Sequence, residues 1–154
     1  MLEGFRHVTR FRVAFADVDM LRHANNIAYL RWAETTRTEY FADVLGSEIT
    51  SARGMILVRL AIDYERQLSY REAVAIGCRV SRIGTKSFDF THEIWSDDAH
   101  ERTAVVVNTV VANDYDLGRT IAFPDDWRAR VLAYEPQTPH TAAGRQTAEA
   151  NRTA

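Results

Sequence analysis

Cysteine is almost absent from this chain, because Cys78 is the single one among 154 residues. One cysteine excludes an internal disulfide framework and is typical of a protein from a reducing compartment. Since Cys78 lies in an alternating apolar stretch, we interpret it as a buried, inert thiol. The first fifteen residues also lack the apolar run of a signal peptide. The sequence therefore predicts a cytoplasmic protein.

Long apolar runs and an excess of positive charge are missing as well. No run approaches the roughly 20 apolar residues of a membrane helix. The chain has 19 basic and 21 acidic residues and a formal net charge of -2. We therefore expect neither a membrane nor a nucleic acid as partner. The length, with 46% hydrophobic residues, fits one domain with a sizeable core.

Glycine and proline are absent between residues 26 and 45, which predicts a long helix there. Asn25 is a good N-cap residue, and Gly46 stands where a glycine commonly ends a helix. Apolar side chains recur along this stretch at helical spacing, with Arg37 as the exception. Glu34 lies three residues before Arg37, and we interpret the two as a structural ion pair.

The segment before the helix alternates like a β-strand. Phe11, Val13 and Phe15 share one parity, which predicts a strand with one apolar face. If that strand continues, Asp17 and Asp19 point inward on the same face. An inward carboxylate is costly unless it is hydrogen-bonded or functional. This placement is a first indication that the following loop is a site.

After the helix the apolar pattern changes to a period of two, which predicts antiparallel strands. Short turns at Gly84–Thr85 and at residues 97–100 predict hairpins. Pro124, followed by two acidic residues, predicts the start of a short helix. Glu135–Ala154 has no aliphatic or aromatic anchor and is predicted to be a disordered tail. The predicted strands lie at 56–64, 74–80, 88–94, 104–112 and 120–123.

The whole pattern predicts an α+β fold. One curved antiparallel sheet of five or six strands would wrap a long central helix and bury its apolar stripe. We expect one domain over residues 1–134 and a tail over residues 135–154. His92 falls on an apolar strand parity and is interpreted as a satisfied core histidine.

Polar groups that can do chemistry concentrate just before the helix. Asp17, Asp19, His23, Asn25 and Asn26 lie within ten residues. A helix that begins here directs its free N–H groups and the positive end of its dipole toward the loop. Acyl transfer needs a group that activates a nucleophile and donors that stabilise an oxyanion. A metal site is disfavoured, because the spacing matches no zinc motif.

The string from Asp17 to Asn26 resembles the motif loop of the hotdog-fold acyl thioesterases. It is most similar to the 4-hydroxybenzoyl-CoA thioesterase-like superfamily and is also similar to the loop of plant acyl-ACP thioesterases. The resemblance extends over about Phe11 to Leu132. It implies a single hotdog fold that hydrolyses an acyl-CoA without a separate cofactor. It also implies a homodimer or homotetramer with active sites at the dimer interface.

The resemblance assigns roles within the loop. Asp19 would be the catalytic carboxylate, acting as nucleophile or as general base on water, and His23 would assist or orient. Apart from the resemblance, we interpret Asp17 as holding the loop by accepting backbone N–H bonds, with a chemical role as the alternative. Asn25 and Asn26 would shape the helix start, whose N–H groups polarise the thioester carbonyl.

Two positions depart from the resembled pattern. Arg22 stands where the family often has glycine, and Leu21 stands where the plant enzymes have asparagine. Arg22 can narrow or charge the acyl entrance. Basic groups that bind the CoA phosphates are expected near the mouth of the site. The candidates for CoA binding beside the Gly84–Thr85 turn are Arg82, Lys86 and Ser87, which can equally be solvated surface residues.

Two further functions stay open. An acyl-ACP thioesterase would use the same loop on a protein-bound thioester, but the net charge of -2 does not indicate a basic docking face. A non-catalytic hotdog module would bind acyl-CoA without hydrolysing it. The presence of both Asp19 and His23 argues against the second of these.

Overall fold

The structure, a computed structural model, describes residues 2–46 and 52–141. It contains one sheet, a long helix across one face of the sheet, and a short second helix. A short 3-10 turn, Phe15–Asp17, precedes the long helix. The elements are β1 His7–Arg12, α1 Asn26–Asp43, β2 Arg53–Tyr64, β3 Ala73–Ile83, β4 Ser87–Ser96, β5 Glu101–Asp114, β6 Arg119–Thr120, α2 Asp125–Tyr134 and β7 His140–Thr141.

Five long strands form the sheet in the order β1-β3-β4-β5-β2. The hairpins β3–β4 and β4–β5 are antiparallel, as the two predicted turns required. Strand β2 is followed by β3 in the chain but does not pair with it. It crosses to the opposite edge and pairs antiparallel with β5. The two-residue strands extend the sheet, β6 on β5 and β7 parallel on β3.

Helix α1 begins where the sequence predicts. The side chain of Asn25 accepts the Ile27 N–H at 2.9 Å and caps the first turn. The helix ends at Asp43, two residues before the predicted end. Gly46 has a φ of 64°, and its N–H donates to the Ala42 carbonyl at 3.1 Å. A left-handed residue that closes the last turn is the reason for glycine at this position.

The side chains between α1 and the sheet form two apolar clusters. The first lies toward the start of α1 and is called the proximal core; the second lies toward its end and is called the distal core. The proximal core contains Val13, Tyr29, Ala33, Leu68, Val74, Ile76, Ile94, Ala104 and Val106. The distal core contains Tyr40, Phe41, Val44, Leu45, Cys78, Val80, Ile83, Phe88, Phe90, Val110, Ala112, Phe123, Trp127 and Val131.

Three buried polar side chains separate these cores, and we call Arg37, His92 and Asn108 the polar layer. Across the β4–β5 register His92 faces Val106 and Phe90 faces Asn108, so His92 and Asn108 are diagonal neighbours on one face. Arg37 follows Ala33 by one turn of α1 and lies 3.6 Å from Glu34, which confirms the predicted pair. Burial lowers the pKa of the Arg37 guanidinium.

The polar layer is short of hydrogen bonds. Within the described part of the chain, neither nitrogen of His92 and neither polar atom of the Asn108 side chain has a partner of normal geometry. Burial lowers the pKa of His92 to about 3, so the ring is neutral. The prediction that His92 lies in the core is therefore confirmed.

The predicted first strand is wrong in its position. Strand β1 covers His7–Arg12, whereas the alternation placed it at Phe11 and beyond. Val13 is hydrogen-bonded to the loop before β3. Its N–H donates to the Glu72 carbonyl and its carbonyl accepts the Arg71 N–H, both at 3.0 Å. The chain then turns, and Phe15 is 80% exposed instead of inward. The inward parity assumed for the two aspartates does not exist, because a 3-10 turn interrupts the strand.

Helix α2 begins after Pro124 as predicted and buries Trp127 and Val131, although Leu132 is half exposed. Glu135, predicted to start a disordered tail, is buried instead. Its Oε1 accepts hydrogen bonds from the Tyr40 hydroxyl and from the Val80 N–H, because these two donors would otherwise be unpaired in the distal core. Residues 136–141 of the predicted tail are also ordered on the sheet, since Gln137 accepts a hydrogen bond from Arg79 at 2.7 Å and His140–Thr141 form β7. Residues 142–154 lie outside the described residues.

Neither helix in residues 2–46 and 52–141 combines the length and the apolar character needed to cross a membrane.

Candidate active site

Backbone hydrogen bonds fold the motif loop, residues 17–26, back onto itself. The Asp19 N–H donates to the His23 carbonyl at 3.2 Å, and the Arg22 N–H donates to the Asp19 carbonyl at 2.9 Å. The Asn25 N–H returns to the Asp17 carbonyl at 2.7 Å. The loop is therefore a closed, hydrogen-bonded turn, an arrangement that can hold a reactive side chain in place.

Arg22 occupies the corner of this turn with a φ of 67°. The left-handed region is unfavourable for a residue with a Cβ and accessible to glycine. This explains why glycine suits the position before His23. Arg22 is exposed, so its charge stands at the surface of the loop rather than inside it.

The Asp19 carboxylate is held from two sides. Oδ1 accepts the Leu21 N–H at 2.8 Å, and Oδ2 accepts from Nδ2 of Asn25 at 3.1 Å. The residue is partly buried. Both oxygens keep a further lone pair, so the group is oriented and still able to bind water or attack a carbonyl carbon.

Asp17 is engaged differently. Its Oδ1 forms an ion pair with Arg31 at 2.7 Å, and its Oδ2 accepts the Ala14 N–H at 3.4 Å. The side chain is only 15% exposed. These contacts fit the supporting role that the sequence suggested for Asp17.

His23 is partly buried and contacts Asp19 through its main chain. In this part of the chain, which the structure describes, no hydrogen bond or ion pair joins the imidazole to the Asp19 carboxylate. The structure thus brings the two residues together, but the contact is made by the backbone.

Donors at the start of α1 face the same loop. Asn25 engages two of the first amides itself, since its side chain accepts from Ile27 N–H and its carbonyl accepts from Ala28 N–H. Among the described residues, the Asn26 N–H is the first-turn donor that has no partner. Tyr64 donates its hydroxyl to the Asn26 carbonyl at 3.0 Å and so supports this turn from β2.

A cavity of about 310 Å³ opens beside the helix start. Tyr29 and Tyr64 form aromatic walls, with ring centroids 5.3 Å apart and planes at 88°. Burial raises the pKa of Tyr29 to about 12, so its hydroxyl stays protonated. The lining residues are Ala24, Asn26, Tyr29, Tyr64, Glu65, Arg66 and Gln67.

More than half of this lining comes from the end of β2 and the segment after it. Tyr64, Arg66 and Gln67 were not identified from the sequence, because nothing local connects them to the motif loop. The connection is long-range: Leu68 accepts the Ala24 N–H at 2.8 Å and fixes the segment against the loop.

Arg66 is charge-compensated at the cavity. Its guanidinium pairs with Glu72 and, at 3.2 Å, with Glu101. These partners leave Arg66 as a fixed structural cation rather than a free one.

The predicted CoA-binding group lies elsewhere in the chain. Arg82, Lys86 and Ser87 lie at the β3–β4 hairpin, whereas the motif loop lies at the opposite end of β3. Eleven residues of β3 span roughly 35 Å at about 3.3 Å per residue. Arg82 also forms a bidentate pair with Asp89 at 2.6 and 2.8 Å, which compensates its charge.

Across the residues that the structure describes, no group of three or more histidine, cysteine, aspartate or glutamate side chains is arranged to hold a metal ion. Cys78 is buried in the distal core, and its burial raises its thiol pKa, as expected for an inert thiol.

Residues 13–131 match the family model of the thioesterase-like superfamily. A comparison with curated proteins finds no match.

Solved structures share the architecture along almost the whole chain. A thioesterase from Thermus thermophilus, complexed with coenzyme A and Zn, is 27% identical with a TM-score of 0.79, covering 89% of this chain and 99% of that one. A thioesterase-superfamily protein from Jannaschia sp. CCS1 is 22% identical with a TM-score of 0.78, covering 89% and 96%. A Staphylococcus aureus protein in complex with CoA is 12% identical with a TM-score of 0.78, covering 91% and 90%. These likenesses confirm the predicted hotdog fold.

Proposed function

The chain belongs to the thioesterase-like superfamily, and on that premise we propose that it hydrolyses an acyl-CoA thioester to a free acid and CoA, with Asp19 as the catalytic carboxylate. One observation carries the proposal. Asp19 is oriented by the Leu21 N–H and by Asn25 at the N-terminus of α1, and the neighbouring residues Ala24 and Asn26 line the aromatic cavity. A held carboxylate beside a helix start is the arrangement that acyl transfer needs.

Asp19 can act in either of two ways. As a general base it removes a proton from water, which attacks the thioester carbonyl carbon, and the tetrahedral intermediate then collapses and expels the CoA thiolate. As a nucleophile its oxygen attacks that carbon, expels the CoA thiolate and leaves a mixed anhydride that water then hydrolyses. Both routes require an ionised carboxylate and develop negative charge on the thioester oxygen.

The Asn26 N–H is the donor that we assign to this oxyanion. The other early amides of α1 are engaged by Asn25. The positive end of the helix dipole adds to the stabilisation. The sequence suggested several helix N–H groups as oxyanion donors. We assign one, because Asn25 already accepts hydrogen bonds from the Ile27 and Ala28 N–H groups.

The proposal includes a homodimer formed through β2. This strand ends the main sheet order, with β5 as its partner among the described residues. Ile56, Leu57 and Val58 are exposed on it, at 42%, 43% and 57%. An apolar edge strand is a ready pairing surface for a second copy. Light scattering that gives the mass of one chain would contradict the proposed dimer. A cytoplasmic location stays a prediction.

The decisive experiment measures thiol release from a panel of acyl-CoAs with aromatic, short, medium and long acyl groups. Wild type is compared with Asp19→Asn, which keeps the shape of the side chain and removes the base or nucleophile. We expect turnover to fall by about 10²-fold or more in the variant, with the fold retained. Asp116→Asn, in the exposed turn before β6, is the matched control and should leave turnover unchanged. Full turnover by Asp19→Asn would overturn the assignment.

The panel also separates the alternatives. Hydrolysis confined to acyl-ACP would indicate the acyl-ACP thioesterase. Tight binding of acyl-CoA without any thiol release would indicate a non-catalytic binding module.

A further inference from the structure

Glu72 is a buried carboxylate that takes no part in the proposed reaction steps. It lies directly before β3, and its side chain is 10% exposed. Its Oε1 accepts hydrogen bonds from Nη1 of Arg66 and, at 2.6 Å, from the Ser96 hydroxyl, while its Oε2 accepts the Ser69 N–H at 2.9 Å. Burial raises the pKa of the Glu72 carboxyl, but these bonds outweigh burial and hold the pKa below its ordinary value of 4.5. Glu72 is therefore ionised at neutral pH and bound by three donors.

The three donors belong to two separate parts of the fold. Arg66 and Ser69 lie in residues 65–71, which follow β2 and which we call the wall segment, because three of them line the cavity. Ser96 is the last residue of β4 and is fully buried. Hydrogen bonds to an ionised group are roughly twice as strong as those between neutral groups. One carboxylate thus fastens the wall segment to the sheet.

The wall segment is hydrogen-bonded in turn to residues on the other side of the cavity. The Leu68 carbonyl accepts the Ala24 N–H at 2.8 Å, and the Arg66 carbonyl accepts the Tyr29 hydroxyl at 3.4 Å. Ala24 and Tyr29 both line the cavity. Because Leu68 is fully buried in the close-packed proximal core, it cannot move without disturbing its neighbours. A shift of the wall segment therefore changes the shape of the cavity.

The main chain of Glu72 is joined to the residues that precede the motif loop. Its carbonyl accepts the Val13 N–H at 3.0 Å. Val13 lies before the motif loop, whereas Ala24, which bonds to Leu68, lies near the end of the loop. The short stretch from Leu68 to Glu72 therefore holds the chain on both sides of the motif loop, and the Glu72 carboxylate fixes the conformation of that stretch.

We infer that Glu72 is a positioning residue, which holds the cavity wall against the motif loop and so determines how tightly the acyl-CoA substrate binds. Its effect falls on binding rather than on the chemical step, because the bonds that orient Asp19 come from Leu21 and Asn25 inside the motif loop. The inference rests on the proposed acyl-CoA thioesterase function. It adds a residue that acts through the wall segment without touching the substrate.

Glu101 separates this role from simple charge compensation. It also pairs with the Arg66 guanidinium, at 3.2 Å, and its side chain is 64% exposed. In the part of the chain that the structure describes, Glu101 shares Arg66 with Glu72 but bonds to neither Ser69 nor Ser96. Loss of the Glu101 carboxylate therefore removes a countercharge and leaves the wall segment fastened.

The test compares the kinetics of full-length variants on the acyl-CoA that wild type hydrolyses best. Glu72→Gln keeps the size of the side chain but replaces one acceptor oxygen by an amide that donates. We expect KM to rise by about tenfold and kcat to change by less than about twofold, the signature of lost binding. Ser96→Ala removes one of the three bonds, is expected to raise KM by a smaller factor, and tests the inference if Glu72→Gln does not fold. Glu101→Gln is the matched control and leaves KM unchanged.

A second control matches the loss of stability. Tyr40→Phe removes a buried hydrogen bond to Glu135 in the distal core, so we expect a lower Tm with an unchanged KM. Amide hydrogen exchange reports on the wall segment directly. The Ala24 N–H is expected to exchange faster in Glu72→Gln and at the wild-type rate in Tyr40→Phe.

Three results would overturn the inference. The first is an unchanged KM in Glu72→Gln, or in Ser96→Ala where Glu72→Gln does not fold. The second is an equal rise of KM in Glu101→Gln or Tyr40→Phe. The third is a fall in kcat that exceeds the rise in KM, which would place Glu72 in the chemical step. Wild type that hydrolyses no acyl-CoA would refute the proposed function alone, and the exchange of Ala24 would still decide whether Glu72 holds the wall segment.

Discussion

Asn25 joins Asp19 to the first turn of α1 with one side chain. Its Nδ2 donates to Oδ2 of Asp19 at 3.1 Å, while its Oδ1 accepts the Ile27 N–H at 2.9 Å. The residue that caps the helix is thus also the residue that orients the carboxylate. In the proposed mechanism Asn25 is a positioning residue, because it would act on the reaction through Asp19.

Two substitutions of Asn25 separate these roles. Asn25→Ala removes the cap and the bond to Asp19, and we expect a loss of about 1 kcal/mol in the free energy of unfolding. Asn25→Asp keeps a good cap but places a second carboxylate beside Asp19. Because two adjacent carboxylates resist joint ionisation, we expect the acid limb of the pH–rate profile to move to higher pH. An unmoved profile with a normal Tm would contradict the positioning role.

The left-handed backbone of Arg22 predicts that a substitution to glycine stabilises the protein. Its φ of 67° is strained for a residue with a Cβ, and it is exposed. We expect Arg22→Gly to raise the free energy of unfolding by up to about 1 kcal/mol, which is roughly 2–4 °C in Tm for a chain of this size. Arg22→Ala keeps the strain and removes the charge, so it serves as control. An equal gain in both variants would attribute the effect to charge.

The buried amide of Asn108 predicts that the polar layer lowers the free energy of unfolding. Its side-chain amide is fully buried and without a partner in the described part of the chain. We expect Asn108→Leu, of similar volume, to raise the free energy of unfolding by about 1–2 kcal/mol, because an unpaired buried amide is removed. Thr103→Val is the matched control. Thr103 is equally buried, but its hydroxyl donates to the Ile94 carbonyl at 3.0 Å, so its loss lowers Tm.

Glu135 predicts a pH dependence of stability. Burial raises the pKa of this carboxyl above its ordinary value of 4.5, although bonds from Tyr40 and Val80 oppose the shift. The folded protein therefore holds the proton more tightly than the unfolded chain. The stabilisation is complete below the unfolded pKa and is lost as pH rises through the folded pKa. Glu135→Gln has no such titration, so its Tm relative to wild type should increase from pH 4 to pH 7. A constant difference over that range would contradict the prediction.

The parts of the fold that the sequence predicts well depend on interactions between neighbouring residues. The capping by Asn25 and the left-handed Gly46 depend on neighbouring residues, so the helix bounds were within two residues. The hairpin turns at Gly84–Thr85 and 97–100 are likewise local. The motif loop was recognised because five polar residues stand together, and the structure holds Asp19 and Asn25 in contact.

The parts that the sequence missed depend on distant partners. Strand β1 alternates poorly, since its faces are set by pairing with β3, and Phe15 leaves the strand where Val13 bonds to the Glu72 loop. Glu135 looks like a tail residue until Tyr40, 95 positions earlier, supplies its partner. Tyr64 and Arg66 reach the cavity because β2 crosses the sheet. None of these long-range contacts can be predicted from a short stretch of the sequence.

The polar layer also affects how cooperatively the protein unfolds. Apolar packing makes neighbouring segments unfold together, and a seam of unpaired polar groups adds little to that coupling. The two halves of the interior share α1 and the central strands, yet each has its own apolar contacts. We therefore expect amide hydrogen exchange to report two opening units. We expect the half that contains the motif loop to open transiently while the half that holds Glu135 stays closed.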